Sequence, residues 1–169
     1  VTQAFAPLLG VDKSLKGNPG RIVNISSVCG TRAFPFIGPY AASKFAIEGF
    51  SESLRRELML FGIDVIIIGP GAVKTAIWDK AEEIDISRYG NSPYLQILQN
   101  FQNTFIAQGR KGFPPEKLGR LIHKALTVAN PKVRYSANPA SIVEKTMMAL
   151  APKRTLDKIV ARALGLMPK

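Results

Sequence analysis

Tyr40 and Lys44 stand four positions apart, so on a helix their side chains share one face. A free phenol has a pKa of about 10 and is a poor base at neutral pH. A cation held close to a phenol stabilises the phenolate form, which makes general acid–base catalysis feasible. A neighbouring hydroxyl, such as that of Ser27, is able to hydrogen-bond a carbonyl or a developing alkoxide oxygen. These three side chains predict a site that moves a proton while another group moves a hydride.

The elements that position these side chains follow a strand–helix–strand order. Residues 21–26 (RIVNIS) and 63–69 (IDVIIIG) are β-branched, nearly continuous apolar runs, typical of parallel strands covered on both faces. Residues 40–61 between them predict a helix that ends at Gly62. Its apolar stripe consists of Ile47, Phe50, Leu54, Leu58 and Phe61, and Glu48, Glu52, Arg55 and Arg56 lie off that stripe. The order predicts a βαβ unit with a right-handed crossover.

The candidate residues are expected to meet at one edge of this sheet. Ser27 follows the first strand, Tyr40 and Lys44 open the helix, and Pro70 and Gly71 follow the second strand. In open parallel sheets, ligands bind outside the carboxyl ends of the strands. Chain direction alone therefore places the five residues where a ligand would bind.

The rest of the chain is predicted to be mainly helical. Gly10 is expected to end an initial helix over residues 1–9, and residues 132–137 (KVRYSA) predict a short edge strand. Further helices are expected near 93–108, 115–129, 139–150 and 155–164.

The segments NISSVCG, GPYAASKFAIEGF and IIIGPGAVKT, in this order and spacing, strongly resemble the short-chain dehydrogenase/reductase family. The resemblance is specific from the first residue to about residue 80 and looser through the C-terminal helices. It implies the α/β fold class, with a doubly wound parallel sheet of Rossmann type. It also implies an oxidoreductase that acts on an alcohol or its carbonyl with NAD or NADP as cofactor.

By this resemblance, Ser27 orients the substrate oxygen, Tyr40 is the catalytic acid and base, and Lys44 holds the nicotinamide ribose and assists Tyr40. The resemblance assigns cofactor binding to Tyr40 and Lys44 and to the segment after the second strand, namely Pro70, Gly71, Val73 and Thr75. Asn24, on the first strand, is interpreted as structural.

The helix sequence SKFAIEGFSESLRREL is similar to the branch that contains retinol and hydroxysteroid dehydrogenases, which implies a bulky apolar secondary or allylic alcohol or its carbonyl as substrate. Residues 76–112 are then the substrate loop. Its apolar side chains predict either a substrate wall or an ordinary amphipathic helix that packs on the core, and they are Tyr94, Leu95, Ile97, Leu98, Phe101 and Phe105. Trp78 is interpreted as a packing residue rather than a cover for the site.

A glycine-rich phosphate-binding turn, Gly-x-x-x-Gly-x-Gly or Gly-x-Gly-x-x-Gly, is not found in the sequence. The chain is therefore interpreted as one partial domain, with the N-terminal nucleotide-binding half missing. An isolated chain of this kind is expected to fold poorly, because a strand buried on both faces makes a poor exposed edge.

The net charge of +11 is unevenly placed, since residues 110–169 hold 13 basic and 3 acidic side chains. This basic C-terminal region, including the predicted helices of 139–169, favours contact with an anionic membrane surface or an acidic partner, or else is a solvated face. Nucleic acid is not expected as a partner, because no metal-finger spacing or aromatic platform accompanies the charge.

His123 lacks neighbouring ligands, so no metal site is predicted. The single cysteine, Cys29, is expected to be a buried apolar residue.

Further expectations concern the partners, the location and the alternative functions. The family resemblance implies a homo-oligomer packed through the 40–61 helix. The single cysteine and the basic C-terminal region favour a location in the cytoplasm or on the surface of an intracellular membrane. One alternative is a truncated, non-catalytic remnant that acts as a partner- or membrane-binding polypeptide. Another is a nucleotide-sugar epimerase, which shares the Tyr-x-x-x-Lys spacing.

Overall fold

The computed structural model describes residues 1–137 and 150–168. Three strands are present there: β1 (Arg21–Ile25), β2 (Asp64–Pro70) and β3 (Arg134–Ala137). The α-helices are α1 (Thr2–Phe5), α2 (Gly38–Leu58), α3 (Ile77–Glu82), α4 (Leu95–Arg110), α5 (Pro115–Thr127) and α6 (Lys153–Leu164). Single 3₁₀ turns cover Pro7–Leu9, Val28–Gly30, Met59–Phe61 and Ser87–Tyr89. The helix predicted near 139–150 lies almost wholly outside the described residues.

The described residues divide into two compact units. The first unit contains residues 1–71 and 114–137, and the second contains residues 72–113 and 150–168. The sheet, α2 and α5 belong to the first unit, whereas α3, α4 and α6 belong to the second. The interpretation of the chain as part of a single domain stays a prediction.

The first unit is built on a parallel sheet in the order β1-β2-β3. Ile25 of β1 pairs with Ile68 of β2, and Ile67 of β2 pairs with Arg134 of β3. The predicted βαβ unit is therefore confirmed, and so is the short edge strand near residues 132–137. Because β2 has a neighbour on each side, its backbone groups are paired along both edges.

Helices cover both faces of the sheet, which explains the unbroken apolar sequence of β2. On one face, Ile66 and Ile68 pack against Ala125 of α5 and Tyr135 of β3. On the other face, Val65 packs with Ile63 and with Leu58 at the end of α2. Alternate residues of β2 thus enter different cores, and neither face is available to water.

Helix α2 begins at Gly38, two residues earlier than predicted, with Pro39 in its first turn, where the missing N–H of proline does no harm. It ends in a 3₁₀ turn, and Gly62 terminates that turn with a left-handed φ of +73°. The predicted apolar stripe is wrong at Phe50, which is exposed. Small side chains face the sheet instead, because Ala41 and Ser51 hold the buried positions of this helix.

The central strand supplies the first testable prediction. Ile68 is fully buried, so Ile68→Ala removes three buried carbons and leaves a cavity, and we expect it to lower the free energy of unfolding by about 2–5 kcal/mol. Urea unfolding of the complete natural protein measures this loss. The matched control is Ile77→Ala at an exposed position of α3, which should cost below about 0.5 kcal/mol. Equal losses for the two variants would contradict the assignment of Ile68 to the core.

Candidate active site

Ser27 lies two residues after the end of β1, in extended backbone, and begins the turn over Val28–Gly30. Its Oγ accepts a hydrogen bond from the Cys29 backbone N–H at 3.1 Å. A serine hydroxyl carries one hydrogen and two lone pairs, so this bond leaves the hydroxyl hydrogen available for an acceptor such as a carbonyl oxygen. The residue is only 6% exposed, which keeps its hydroxyl in a setting with little competing water.

Tyr40 and Lys44 lie on the first turns of α2, where their four-residue spacing brings them together as predicted. The Lys44 Nζ lies 5.7 Å from the centre of the Tyr40 ring. Tyr40 is 47% exposed, and its hydroxyl makes no hydrogen bond to any residue in the described part of the chain. The phenol therefore stands beside a fixed cation and is open to a small molecule.

Lys44 also joins the helix to the sheet. Its Nζ donates a hydrogen bond to the backbone oxygen of Ile25, the last residue of β1, at 3.1 Å. An ammonium group has three N–H donors, and only this one is used among the contacts of the described residues. The bond fixes the ammonium two residues before Ser27 and leaves donors for the hydroxyls of a ligand.

Pro70 and Gly71 are at the same edge of the sheet, as predicted. Ser26 extends the β1–β2 ladder, because its N–H donates to Ile68 O at 2.8 Å. Pro70 is the last residue of β2, and the Gly71 N–H donates to Ala137 O at 3.2 Å. The carboxyl ends of the three parallel strands thus lie at one edge of the sheet, where Lys44 of α2 contacts the end of β1.

Val73 and Thr75 belong to the second unit, where backbone contacts hold them. Val73 pairs with Phe113 in a parallel bridge, and its oxygen accepts a hydrogen bond from the Trp78 Nε1–H at 2.7 Å. The Thr75 oxygen accepts from the Trp78 backbone N–H at 3.4 Å. The assignment of Val73 and Thr75 to cofactor binding stays a prediction that rests on the sequence resemblance.

An aromatic cluster forms the core of the second unit. Trp78 is buried, meets Phe105 edge-on at 5.2 Å, and Phe105 stacks on Phe101 at 5.3 Å. Trp78 fits only because Gly109 has no side chain, since a β-carbon there would overlap the indole ring. These contacts support packing for Trp78, Phe101 and Phe105. Tyr94 is half-exposed, and its place in a substrate wall stays a prediction.

The sequence interpretation missed two charged residues in the first unit. Glu48 of α2, one helical turn after Lys44, forms an ion pair with Arg134 of β3, with 3.0 Å between Oε2 and Nε. The Arg134 Nη2 also donates to Ser27 O at 3.2 Å. The available signal was the position of Glu48, which lies on the same helix face as Lys44. Arg134 gave none, because it is 86 positions away in the chain.

Asn24, Cys29 and His123 were given no catalytic part by the sequence, and their positions are as follows. Asn24 donates through Nδ2 to Ser51 Oγ at 2.8 Å, which fits its interpretation as a structural residue. Cys29 is buried and forms no disulfide, as expected for a small apolar residue. His123 is exposed on α5.

Within residues 1–137 and 150–168, none of the helices has the length and apolar character needed to cross a bilayer. The same residues contain no cluster of three or more His, Cys, Asp or Glu side chains suited to a metal ion.

Comparison with known proteins gives matches of three kinds. A family model described as short chain dehydrogenase matches residues 1–85. The chain is 36% identical over 164 residues to the NADPH-dependent 3-dehydrocapnine reductase of Ornithobacterium rhinotracheale, covering 97% of this chain and 57% of the reductase. It is 31% identical over 182 residues to retinol dehydrogenase 5 of Homo sapiens, covering 90% of this chain and 54% of that protein.

A crystal structure of a short-chain dehydrogenase from Streptomyces avermitilis superposes with a TM-score of 0.59 at 24% identity. The superposition covers 99% of this chain and 58% of that chain, and it shows that the α/β fold is shared. The chain spans about half the length of the relatives that it matches.

Proposed function

This chain belongs to the short chain dehydrogenase family, and we propose that it carries the proton-transfer site of an NAD(P)-dependent oxidoreductase. The proposed reaction interconverts an apolar secondary or allylic alcohol and its carbonyl. One observation carries the proposal: Lys44 lies beside the ring of Tyr40 and is bound to Ile25 O, so that phenol, ammonium and the Ser27 turn lie at one sheet edge.

Each of the three residues has a distinct part in the proposed reaction. The Ser27 hydroxyl donates to the substrate oxygen, and it is suited to this because Cys29 occupies only one of its lone pairs. The half-exposed Tyr40 hydroxyl gives its proton to the oxygen as negative charge develops there, or takes the proton in the reverse direction. Lys44 stabilises the phenolate that results, and its hydrogen bond to Ile25 O holds the ammonium at the end of β1.

The donors at this edge fit a nicotinamide cofactor. Lys44 has two N–H groups beyond the one on Ile25 O, which suits the hydroxyls of a ribose, and the Tyr40 ring lies 5.7 Å from the ammonium. Pro70 and Gly71 end the neighbouring strand, where the carboxamide side of the ring would bind. When bound, the cofactor supplies or accepts the hydride. We favour NADPH over NADH, because the 36% identical relative is named as NADPH-dependent.

The proposed substrate is a bulky apolar ketone or aldehyde, or the corresponding alcohol. The names of the two relatives support this class, since one is a 3-dehydrocapnine reductase and the other a retinol dehydrogenase. A steroid or retinoid is the substrate that the helix sequence SKFAIEGFSESLRREL implies.

Partners of two kinds are proposed. The exposed aromatic side chains Phe45 and Phe50 on α2 support association of two copies through the 40–61 helix. Helix α6 supports contact with the surface of an intracellular membrane, because it combines four basic residues with apolar ones and has a single acidic residue, Asp157. Those basic residues are Lys153, Arg154, Lys158 and Arg162.

The proposed activity is tested in the complete natural protein by following cofactor oxidation with retinal and with a steroid ketone. Because epimerisation consumes no cofactor overall, a nucleotide sugar is tested separately by analysing its products. We expect turnover with at least one apolar carbonyl, faster with NADPH than with NADH, and none with the nucleotide sugar. Turnover of the nucleotide sugar alone would favour the epimerase alternative. Cofactor binding without turnover of either apolar carbonyl would contradict the proposed substrate class.

A further inference from the structure

Among the described residues of the first unit, Glu48 and Arg134 form the most enclosed ion pair. Arg134 Nε lies 3.2 and 3.0 Å from the two carboxylate oxygens of Glu48, and Nη2 lies 3.1 Å from Oε1. The two side chains are 25% and 16% exposed, respectively. A forked, charge-assisted contact of this kind is strong and directional, so it fixes orientation as well as distance.

The same guanidinium reaches the backbone of Ser27. Arg134 Nη2 donates to Ser27 O at 3.2 Å, while Lys44 Nζ, one turn before Glu48 on α2, donates to Ile25 O at 3.1 Å. Two successive turns of α2 therefore hold the chain that leaves β1, one directly and one through Arg134. The two held carbonyls flank Ser26, whose buried Oγ has no hydrogen-bond partner among the described residues.

Two glycines make room for this arrangement. A β-carbon at Gly69 of β2 would collide with the Arg134 guanidinium. A β-carbon at Gly30 would collide with Ser26 Oγ and lie 2.9 Å from Glu48 Oε1. The ion pair thus lies directly against the strand and the turn that contains Ser27, with no space for either to shift toward it.

We propose that Arg134 is a positioning residue for the reaction: paired with Glu48, it holds the Ser27 backbone so that the Ser27 hydroxyl meets the substrate oxygen. This inference rests on the proposed function. Arg134 itself touches no reacting atom in this scheme. A lysine at this position keeps the charge but cannot contact Glu48 through a fork and Ser27 O at the same time, so it is the informative replacement.

The test uses Arg134→Lys in the complete natural protein, with kcat expressed per cofactor-binding site. We expect kcat to fall about 10- to 100-fold, because small displacements of a substrate-contacting group have effects of this size. The dissociation constant of NADPH should change less than about twofold, since Lys44 and Tyr40 keep their places.

The same substitution in the Ser27→Ala variant separates a positioning role of Arg134 from a general loss of structure. In Ser27→Ala, adding Arg134→Lys should lower kcat no further, because the hydroxyl that Arg134 positions is gone. If Arg134 only stabilised the folded structure, Arg134→Lys would lower kcat by the same factor in the parent and in the Ser27→Ala variant. That result would overturn the inference. If Arg134→Lys does not fold, Glu48→Gln weakens the same ion pair from the other side and should show the same non-additive pattern with Ser27→Ala.

Arg21→Lys is the matched control. Arg21, the first residue of the other edge strand β1, is also partly buried, pairs with Asp64 at 3.2 Å and donates to Ala125 O at 3.1 Å. Its replacement should lower stability and leave kcat within about twofold of the parent. An Arg134→Lys variant that matches this behaviour would also overturn the inference and would leave the proposed function intact. A Ser27→Ala variant with full activity would instead remove the proposed role of Ser27 and the positioning role together.

Discussion

Replacing Tyr40 by Phe is expected to lower kcat about 1,000-fold, a loss in the range typical of a removed general acid–base group. The variant deletes one oxygen and keeps the ring, so the contact between that ring and Lys44 Nζ at 5.7 Å should survive. The Tyr40 hydroxyl makes no hydrogen bond to a described residue, so its loss should leave the free energy of unfolding almost unchanged. Steady-state kinetics and a fluorescence titration with NADPH measure both parts of the prediction.

The control for this variant is Tyr135→Phe. The Tyr135 hydroxyl accepts a hydrogen bond from the Lys132 backbone N–H at 3.1 Å, so the same atom is removed from a tyrosine of β3 that has no proposed part in the reaction. We expect its kcat to stay within about twofold of the parent. A Tyr40→Phe enzyme that binds NADPH and keeps kcat within about tenfold of the parent would remove Tyr40 from the proton-transfer step.

Lys44→Met is expected to lower kcat about 100-fold or more and, unlike Tyr40→Phe, to weaken NADPH binding as well. Methionine preserves the length and apolar stem of the side chain but removes the cation beside Tyr40 and the hydrogen bond to Ile25 O. The ammonium donors proposed for the ribose disappear with it. Both effects are measured, one as the kcat of the variant at saturating cofactor and the other as its dissociation constant for NADPH.

Lys124→Met provides the comparison, because Lys124 is an exposed residue on α5, on the other face of the sheet. It should leave kcat and cofactor binding within about twofold of the parent values. Loss of NADPH binding without loss of kcat at saturating cofactor would contradict a role for Lys44 in the chemical step. Loss of kcat alone would contradict its role as a ribose ligand.

The part of the site that the sequence predicted depends on local patterns and chain direction. The apolar run of β2 indicated a strand covered on both faces, and α2 and α5 do cover it. Once β1, α2 and β2 are placed in order, the end of one strand and the start of the crossover helix must lie at one edge. That is why the positions of Ser27, Tyr40 and Lys44 followed from the sequence.

Contacts between distant segments could not be predicted in this way. The pairing of Glu48 with Arg134 joins α2 to β3 across 86 positions, and the apolar periodicity of α2 left Glu48 off the stripe. The same periodicity misplaced Phe50, because Ala41 and Ser51 take the positions that face the sheet. Helix α3 was not predicted from the sequence, because six residues are too few for a clear helical pattern.

Proton transfer by Tyr40 coupled to hydride transfer is tested most directly with NADPH that carries deuterium at its transferable position. The complete natural protein and its Tyr40→Phe variant are each given an apolar ketone, and the alcohol product is analysed by mass spectrometry. We expect the parent to form alcohol with one deuterium on the carbon that bore the carbonyl, and the variant to form almost none. Unlabelled alcohol from the parent, or labelled alcohol at equal rates from both proteins, would contradict hydride transfer assisted by Tyr40.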